Sequence, residues 1–158
     1  MSFSREAKLQ KIIETEKILN DIQDIDILLE QLLTEARSIV NADAGSIYVW
    51  DESTKLLSIK YSQNDTQQKK LEPGQKLPYS FFSFPANEQS ISGYCVLNKE
   101  ILNIPDVYQI PEESIYKFNR QPDLLSGYQT KSMLTIPLIT ADGRILGVLQ
   151  IINAQDEH

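Results

Sequence analysis

The sequence is short of several residue types, and each shortage excludes something. It has one cysteine and one histidine in 158 residues. A single cysteine, Cys95, rules out an intrachain disulfide, so a reducing, cytoplasmic setting is expected. The histidine is His158, the final residue, which leaves a histidine-based triad or an internal metal site nothing to build on. No apolar run approaches the ~20 residues that cross a bilayer. The residues after Met1 lead into a charged helix and not into an apolar signal core. Cations are also scarce: 15 Lys and Arg against 22 Asp and Glu give a net charge of −7. That balance argues against a phosphate backbone as partner, and the one basic cluster, Lys69-Lys70, reads as a solvated loop. There is no GxGxxG, no phosphate loop and no HExxH. Carboxylates are plentiful, but no pair lies within an apolar run that would perturb it. No catalytic residue, metal or cofactor is expected, and neither is contact with nucleic acid or membrane; the chain reads as a non-enzyme.

What is present is an ordinary globular composition, 41% apolar and 23% charged, enough for one domain with a core. Ser4 is placed to cap a helix running to about Asn20. Its apolar stripe (Leu9, Ile12, Ile13, Ile18, Leu19, Ile22) is thin, which suits pairing with a partner helix better than burial in its own domain. Residues 1–23 are therefore read as a signalling and dimerisation helix, and 24–158 as the globular domain. Asp24 or Asp26 caps a second helix, in which Ile25, Leu28, Leu29, Leu32, Leu33, Ala36, Ile39 and Val40 form one wide apolar face.

From Ser46 the period becomes two. Ile47 and Val49 face one way, Tyr48 and Trp50 the other; Leu57, Ile59 and Tyr61 alternate in a return strand. Residues 63–90 read as a long polar connection, a candidate lid, with an aromatic cluster of Tyr79, Phe81, Phe82 and Phe84. Ser90 caps a short helix from Ile91 to Leu97, and Ile101–Ile104 is a short strand stopped by Pro105. Pro111 opens a further helix to about Asn119, which Gln121-Pro122-Asp123 breaks. Met133–Ile139 and Ile145–Ile152 form a closing hairpin around Asp142-Gly143. Strands paired as hairpins with helices inserted give an α+β class and an antiparallel sheet, in the order α-α-β-β-loop-α-β-α-β-β.

Three segments carry a family resemblance: Asn41 to Tyr48; Ser90 to Tyr94 with Leu102 to Val107; and Tyr128 to Asn153. In this order they resemble the GAF family over roughly residues 25–153. Asn64-Asp65-Thr66 and Tyr116 to Tyr128 further resemble bacterial GAF domains fused to HD-GYP phosphodiesterases, adenylate cyclases or sensor kinases. The resemblance implies a profilin- or PAS-like central antiparallel sheet with helices on both sides. One side would carry dimer contacts; the other would close over a ligand pocket. It implies a regulatory domain that binds a small molecule, a cyclic nucleotide among the candidates, and controls a downstream effector through a homodimer. The alternative is a dimerisation module with a filled pocket and no ligand. Asn153 matches the first residue of the family's Asn-Lys…Phe…Asp cyclic-nucleotide signature, but Ala154 stands where the Lys belongs.

The candidate ligand-binding residues each have an ordinary structural reading too. Ser92 and Gly93 open a helix, where free N–H groups suit an anion, though a serine there also caps. Tyr116 and Phe118 are placed to stack on a flat ligand or to fill core. Asp106 follows a strand as ligand or turn residue, and Thr130 and Ser132 lie where the hairpin begins. Cys95 reads as a small buried apolar residue and not as a chromophore attachment point.

Overall fold

The computed structural model describes residues 4–21, 24–77 and 81–155; Ile22, Tyr79 and His158 fall outside them. Helix α1 (Arg5–Asp21) begins after Ser4, whose hydroxyl accepts from Ala7 N–H. Helix α2 (Ile25–Val40) is capped by the Asp24 carboxylate, which accepts from the N–H groups of Asp26 and Ile27. It ends at Asn41 in the left-handed conformation.

The strands β1 (Ala42–Asp51), β2 (Leu56–Asn64), β3 (Ser83–Pro85), β4 (Leu102–Ile104), β5 (Met133–Ile139) and β6 (Ile145–Ala154) form one antiparallel sheet in the order β3-β2-β1-β6-β5-β4. Three short helices complete the chain: α3 (Asp65–Gln68), α4 (Ile91–Asn98) and α5 (Gln121–Ser126). A 3₁₀ turn spans Val107–Gln109.

The sheet has two unlike faces. On one lies α2, with Leu33 packed against Ile47, Leu149 and Ile151. Gly45 permits this approach, since a Cβ there would stand 2.8 Å from Leu33 Cδ1. On the other lies a cluster of Trp50, Leu57, Cys95, Val96, Val107 and Val148 that seats α4 and the 3₁₀ turn. Helix α1 rests on α2 through Glu35, which accepts a hydrogen bond from Thr15 (3.3 Å) and pairs with Lys11 (3.0 Å). Its apolar stripe is left open: Leu9, Ile12, Ile13 and Ile18 are all exposed.

Three expectations need correction. Residues 112–119 form no helix; Lys117 N–H donates to Gln89 O at 2.8 Å, and Ser90 and Lys117 make a parallel bridge. The helix lies further on, at α5, where Pro122 sits in the first turn and Gly127 caps the end. The 63–90 connection is not free of regular structure, since β2 extends to Asn64, α3 follows and β3 returns to pair with β2. Finally, Leu57, Ile59 and Tyr61 do not share one face. The register runs Tyr48↔Ile59 and then Ile47↔Tyr61, so Lys60 is an extra residue in a bulge. Tyr61 therefore joins the α2 side, while Ile59 stays opposite.

Candidate functional site

The face opposite α2 is not filled. Between the sheet, α4 and the 117–130 segment lies a cavity of about 630 Å³. Strand pairing lays out its floor in rows. One row runs Asn64, Ala44, Ile152, Met133; the next runs Ser62, Ser46, Gln150 and continues into Thr135, which is buried outside the cavity. The Lys60 bulge brings Ser62 and Asn64 onto this face, because without it the two-residue alternation would turn them toward α2.

The aromatic end is built by β1 and β3. Tyr48 meets Phe84 edge-on at 5.7 Å between ring centres and Phe82 at 6.1 Å, and all three line the cavity. Burial pushes the Tyr48 hydroxyl up to about 12, against a smaller opposing effect of its bond with Ser46, so it stays a neutral phenol.

The opposite wall hangs on two polar clusters. Asp123, on α5, accepts from Thr130 N–H (2.8 Å), the Thr130 hydroxyl (2.8 Å) and the Tyr108 hydroxyl (2.7 Å). The Arg120 guanidinium lies 4.9 Å over the Tyr108 ring. In the second cluster, Tyr128 donates to Asp43 (2.8 Å) and accepts from the Asn153 amide (2.9 Å). Burial and the Asp43 bond both raise the Tyr128 hydroxyl far above its ordinary range. Asn153 also donates to Gln129 O (2.9 Å) and accepts from Lys131 N–H (2.7 Å), tying the 128–132 segment to the end of β6. At the mouth, Gln67 of α3 donates to Ser126 O of α5 at 3.3 Å.

Of the residues singled out in the sequence, Ser92, Phe118 and Thr130 line this cavity; Gly93, Asp106, Tyr116 and Ser132 do not. Gly93 N–H donates to Ser90 Oγ (3.0 Å), and a Cβ at Gly93 would stand 2.0 Å from Asn87 O, so the position needs glycine for packing. Asp106 caps the 3₁₀ turn, accepting from Tyr108 N–H (3.0 Å). Tyr116 packs on Tyr94, 5.1 Å between ring centres. Ser132 contributes its carbonyl to Asn153 N–H (2.9 Å). Sequence reasoning passed over Ser46, Gln150, Tyr128 and Asp123. A signal existed for Gln150: it is a polar residue inside the apolar run from Val148 to Ile152, on a strand with no exposed face there. Cys95 is fully buried, and burial, with a smaller effect of Glu100, pushes its thiol up to about 12, so it is no nucleophile at neutral pH.

A six-stranded antiparallel sheet, packed on one face and hollow on the other beneath short helices, defines a class of small α+β pocket domains. The family model described as "GAF domain" matches residues 24–158, and the chain belongs to that family. GAF domains are regulatory and sensory modules. Among relatives, a cGMP-specific 3',5'-cyclic phosphodiesterase of Drosophila virilis is 27% identical over 150 residues, 85% of this chain and 15% of the relative. A dual 3',5'-cyclic-AMP and -GMP phosphodiesterase 11A of Takifugu rubripes is 43% identical over 65 residues, 41% of this chain and 7% of the relative. The chain thus spans a small part of the curated relatives it matches. Among solved structures, the GAF domain of a Coxiella burnetii phosphoenolpyruvate-protein phosphotransferase aligns with TM-score 0.67 at 21% identity, covering 94% of this chain and 78% of that one. Free methionine-R-sulfoxide reductase of Neisseria meningitidis, solved with its substrate, aligns with TM-score 0.69 at 16% identity, covering 99% and 82%. At these identities the likeness speaks for the fold alone. Among the described residues, no helix is long and apolar enough to cross a membrane.

Proposed function

We propose that this chain is a regulatory sensor, without catalytic activity of its own, that binds a small molecule in the cavity and biases a linked effector through a homodimer. The observation that carries this reading is the cavity itself. Its volume of about 630 Å³ lies within the ~300–1,000 Å³ typical of small-molecule sites. That size supports sensing over the alternative, a dimerisation module with a filled pocket. Cyclic nucleotides belong in any ligand panel because phosphodiesterases are among the relatives.

A route from cavity to dimer is available. Asn64 and Gln67 line the cavity at α3, and the adjacent Asp65 is ion-paired with Arg37 of α2 at 2.7 Å. Arg37 also donates to Gln63 and to Asp43 O, each at 2.8 Å. Helix α2 in turn holds α1 through Glu35, and α1 offers the open stripe of Leu9, Ile12, Ile13 and Ile18 to a second copy. A ligand shifts such a system only by the difference in its affinity for two dimer states.

Native mass spectrometry and thermal shift against a metabolite panel test the reading. A retained small molecule or a clear rise in Tm is expected; no bound species and no shift with any compound would sink it. Deleting residues 1–20 should convert the dimer to a monomer by light scattering, and a dimer that survives the deletion removes α1 as its interface.

A further inference from the structure

The charge of the lining restricts what the cavity accepts. Among the described lining residues only Lys117 and Asp123 are charged. The Lys117 ammonium donates to the carbonyls of Pro111 (3.3 Å) and Glu112. The Asp123 oxygens already accept three hydrogen bonds from Thr130 and Tyr108. An anion entering here meets the Asp123 carboxylate and one ammonium already bonded to two carbonyls, so side-chain charge gives it little support. A cation would meet a carboxylate with three of its roughly four acceptor positions taken.

The lining also holds two polar groups with nothing to bind. Ser92 and Gln150 are 6% and 7% exposed and both line the cavity. Neither the Ser92 hydroxyl nor the Gln150 side-chain amide has a hydrogen-bond partner among the described residues. By contrast, the Thr130 hydroxyl is held by Asp123 at 2.8 Å. Both groups open onto the cavity and are not sealed from solvent, so a ligand that displaces that solvent must complete their hydrogen bonds or leave them unpaired at a cost. A primary amide presents a donor and an acceptor side by side. That pattern complements the edge of a heterocycle carrying an adjacent acceptor and donor, as nucleobases do. The aromatic end formed by Tyr48, Phe82 and Phe84 supplies ring faces and edges for such a planar group.

We propose that the cavity selects an uncharged heteroaromatic molecule of nucleobase or nucleoside type, bonded along one edge by Gln150 and Ser92, and discriminates against phosphate esters. This rests on the reading that the cavity binds a small molecule, and it narrows that reading to a ligand class.

The test uses matched pairs that differ only in the phosphate, guanosine with cyclic GMP and adenosine with cyclic AMP, titrated by calorimetry into the full chain. The nucleoside of at least one pair should bind about tenfold or more tightly than its cyclic phosphate. Gln150→Leu should lower that affinity about tenfold, and Ser92→Ala by a smaller factor, with the ligand-free Tm of each variant showing that it folds. Tighter binding of a cyclic nucleotide than of its nucleoside overturns the proposal and leaves the sensor reading standing, as does unchanged affinity in both Gln150→Leu and Ser92→Ala. Binding of other metabolites with no binding of either nucleoside also overturns it. If nothing in the wider panel binds, the sensor reading itself falls.

Discussion

The two faces of the sheet come from the same strands and have opposite fates. Alternate residues of β1 and β6, such as Ile47, Leu149 and Ile151, close against Leu33 of α2. Their neighbours Ser46 and Gln150 face the cavity, where packing is incomplete. Period-two alternation thus gives one sheet a stabilising face and a receptive face, and the two can be changed separately. The α2 face is packed along Ile47, Leu149 and Ile151, whereas the other face is packed around Trp50, Leu57 and Val148 and left open around Ser46 and Gln150.

Mutations and titration give ways to break or sharpen this contrast. Leu33→Ala removes a fully buried side chain from the packed face and should cost about 3 kcal/mol, lowering Tm by roughly 6–12 °C. A loss below about 1 kcal/mol by urea denaturation would show that the α2 face is not the stabilising one. On the hollow face, Asn153→Ala releases the bonds to Tyr128, Gln129 and Lys131 and should cost about 2 kcal/mol, with hydrogen exchange rising in residues 128–132. Exchange unchanged there would mean that another contact holds the wall. Gln150→Leu should change ligand-free stability by less than about 1 kcal/mol, because no protein partner is lost. A large loss would make Gln150 structural.

The α1 contact responds to pH. Burial pushes the Glu35 carboxyl up, but the bonds and charge of Lys11, with bonds from Gln31 and Thr15, outweigh this and hold it below its ordinary value. A carboxyl lowered in the folded state contributes stability that is present above its unfolded value of 4.5 and lost as pH falls through the folded one. Acidification below about pH 4.5 should therefore raise hydrogen exchange in α1 before the sheet opens. Loss of both together would show that α1 and the sheet unfold as one unit. The smallest effect is expected at Thr135, whose fully buried hydroxyl has no partner among the described residues. Thr135→Val should leave stability unchanged or raise it by up to about 1 kcal/mol.

Much of the packed face was legible in the sequence. The α2 series from Ile25 to Val40 and the Asp142-Gly143 hairpin announce their elements because burial of one face imposes a period. The Ser90 cap marks α4 for a local reason, a side-chain oxygen accepting from a backbone N–H three residues on. The hollow face was harder to read. Pro111 reads as a helix opener and Pro122 as a breaker, yet it is Pro122 that lies in the first turn of a helix, because residues 112–119 are taken up by turns and by the bridge of Lys117 to the Gln89–Ser90 segment. Of the seven site residues proposed, Ser92, Phe118 and Thr130 line the cavity; Gly93, Asp106, Tyr116 and Ser132 are engaged in packing, capping and chain-tying, roles that depend on neighbours distant in sequence.

By itself the sequence determined the α+β class, the order of the main elements and the absence of a histidine or cysteine pair on which to build catalysis, since these depend on composition and local periodicity. Only the tertiary structure decided what faces the cavity. The Lys60 bulge turns Ser62 and Asn64 onto it and Tyr61 away, and strand pairing sets Gln150 beside Ser46. The physical reason is that a one-residue shift in register reverses every side chain beyond it, and that shift is fixed by pairing across strands, not by residues near it in the chain.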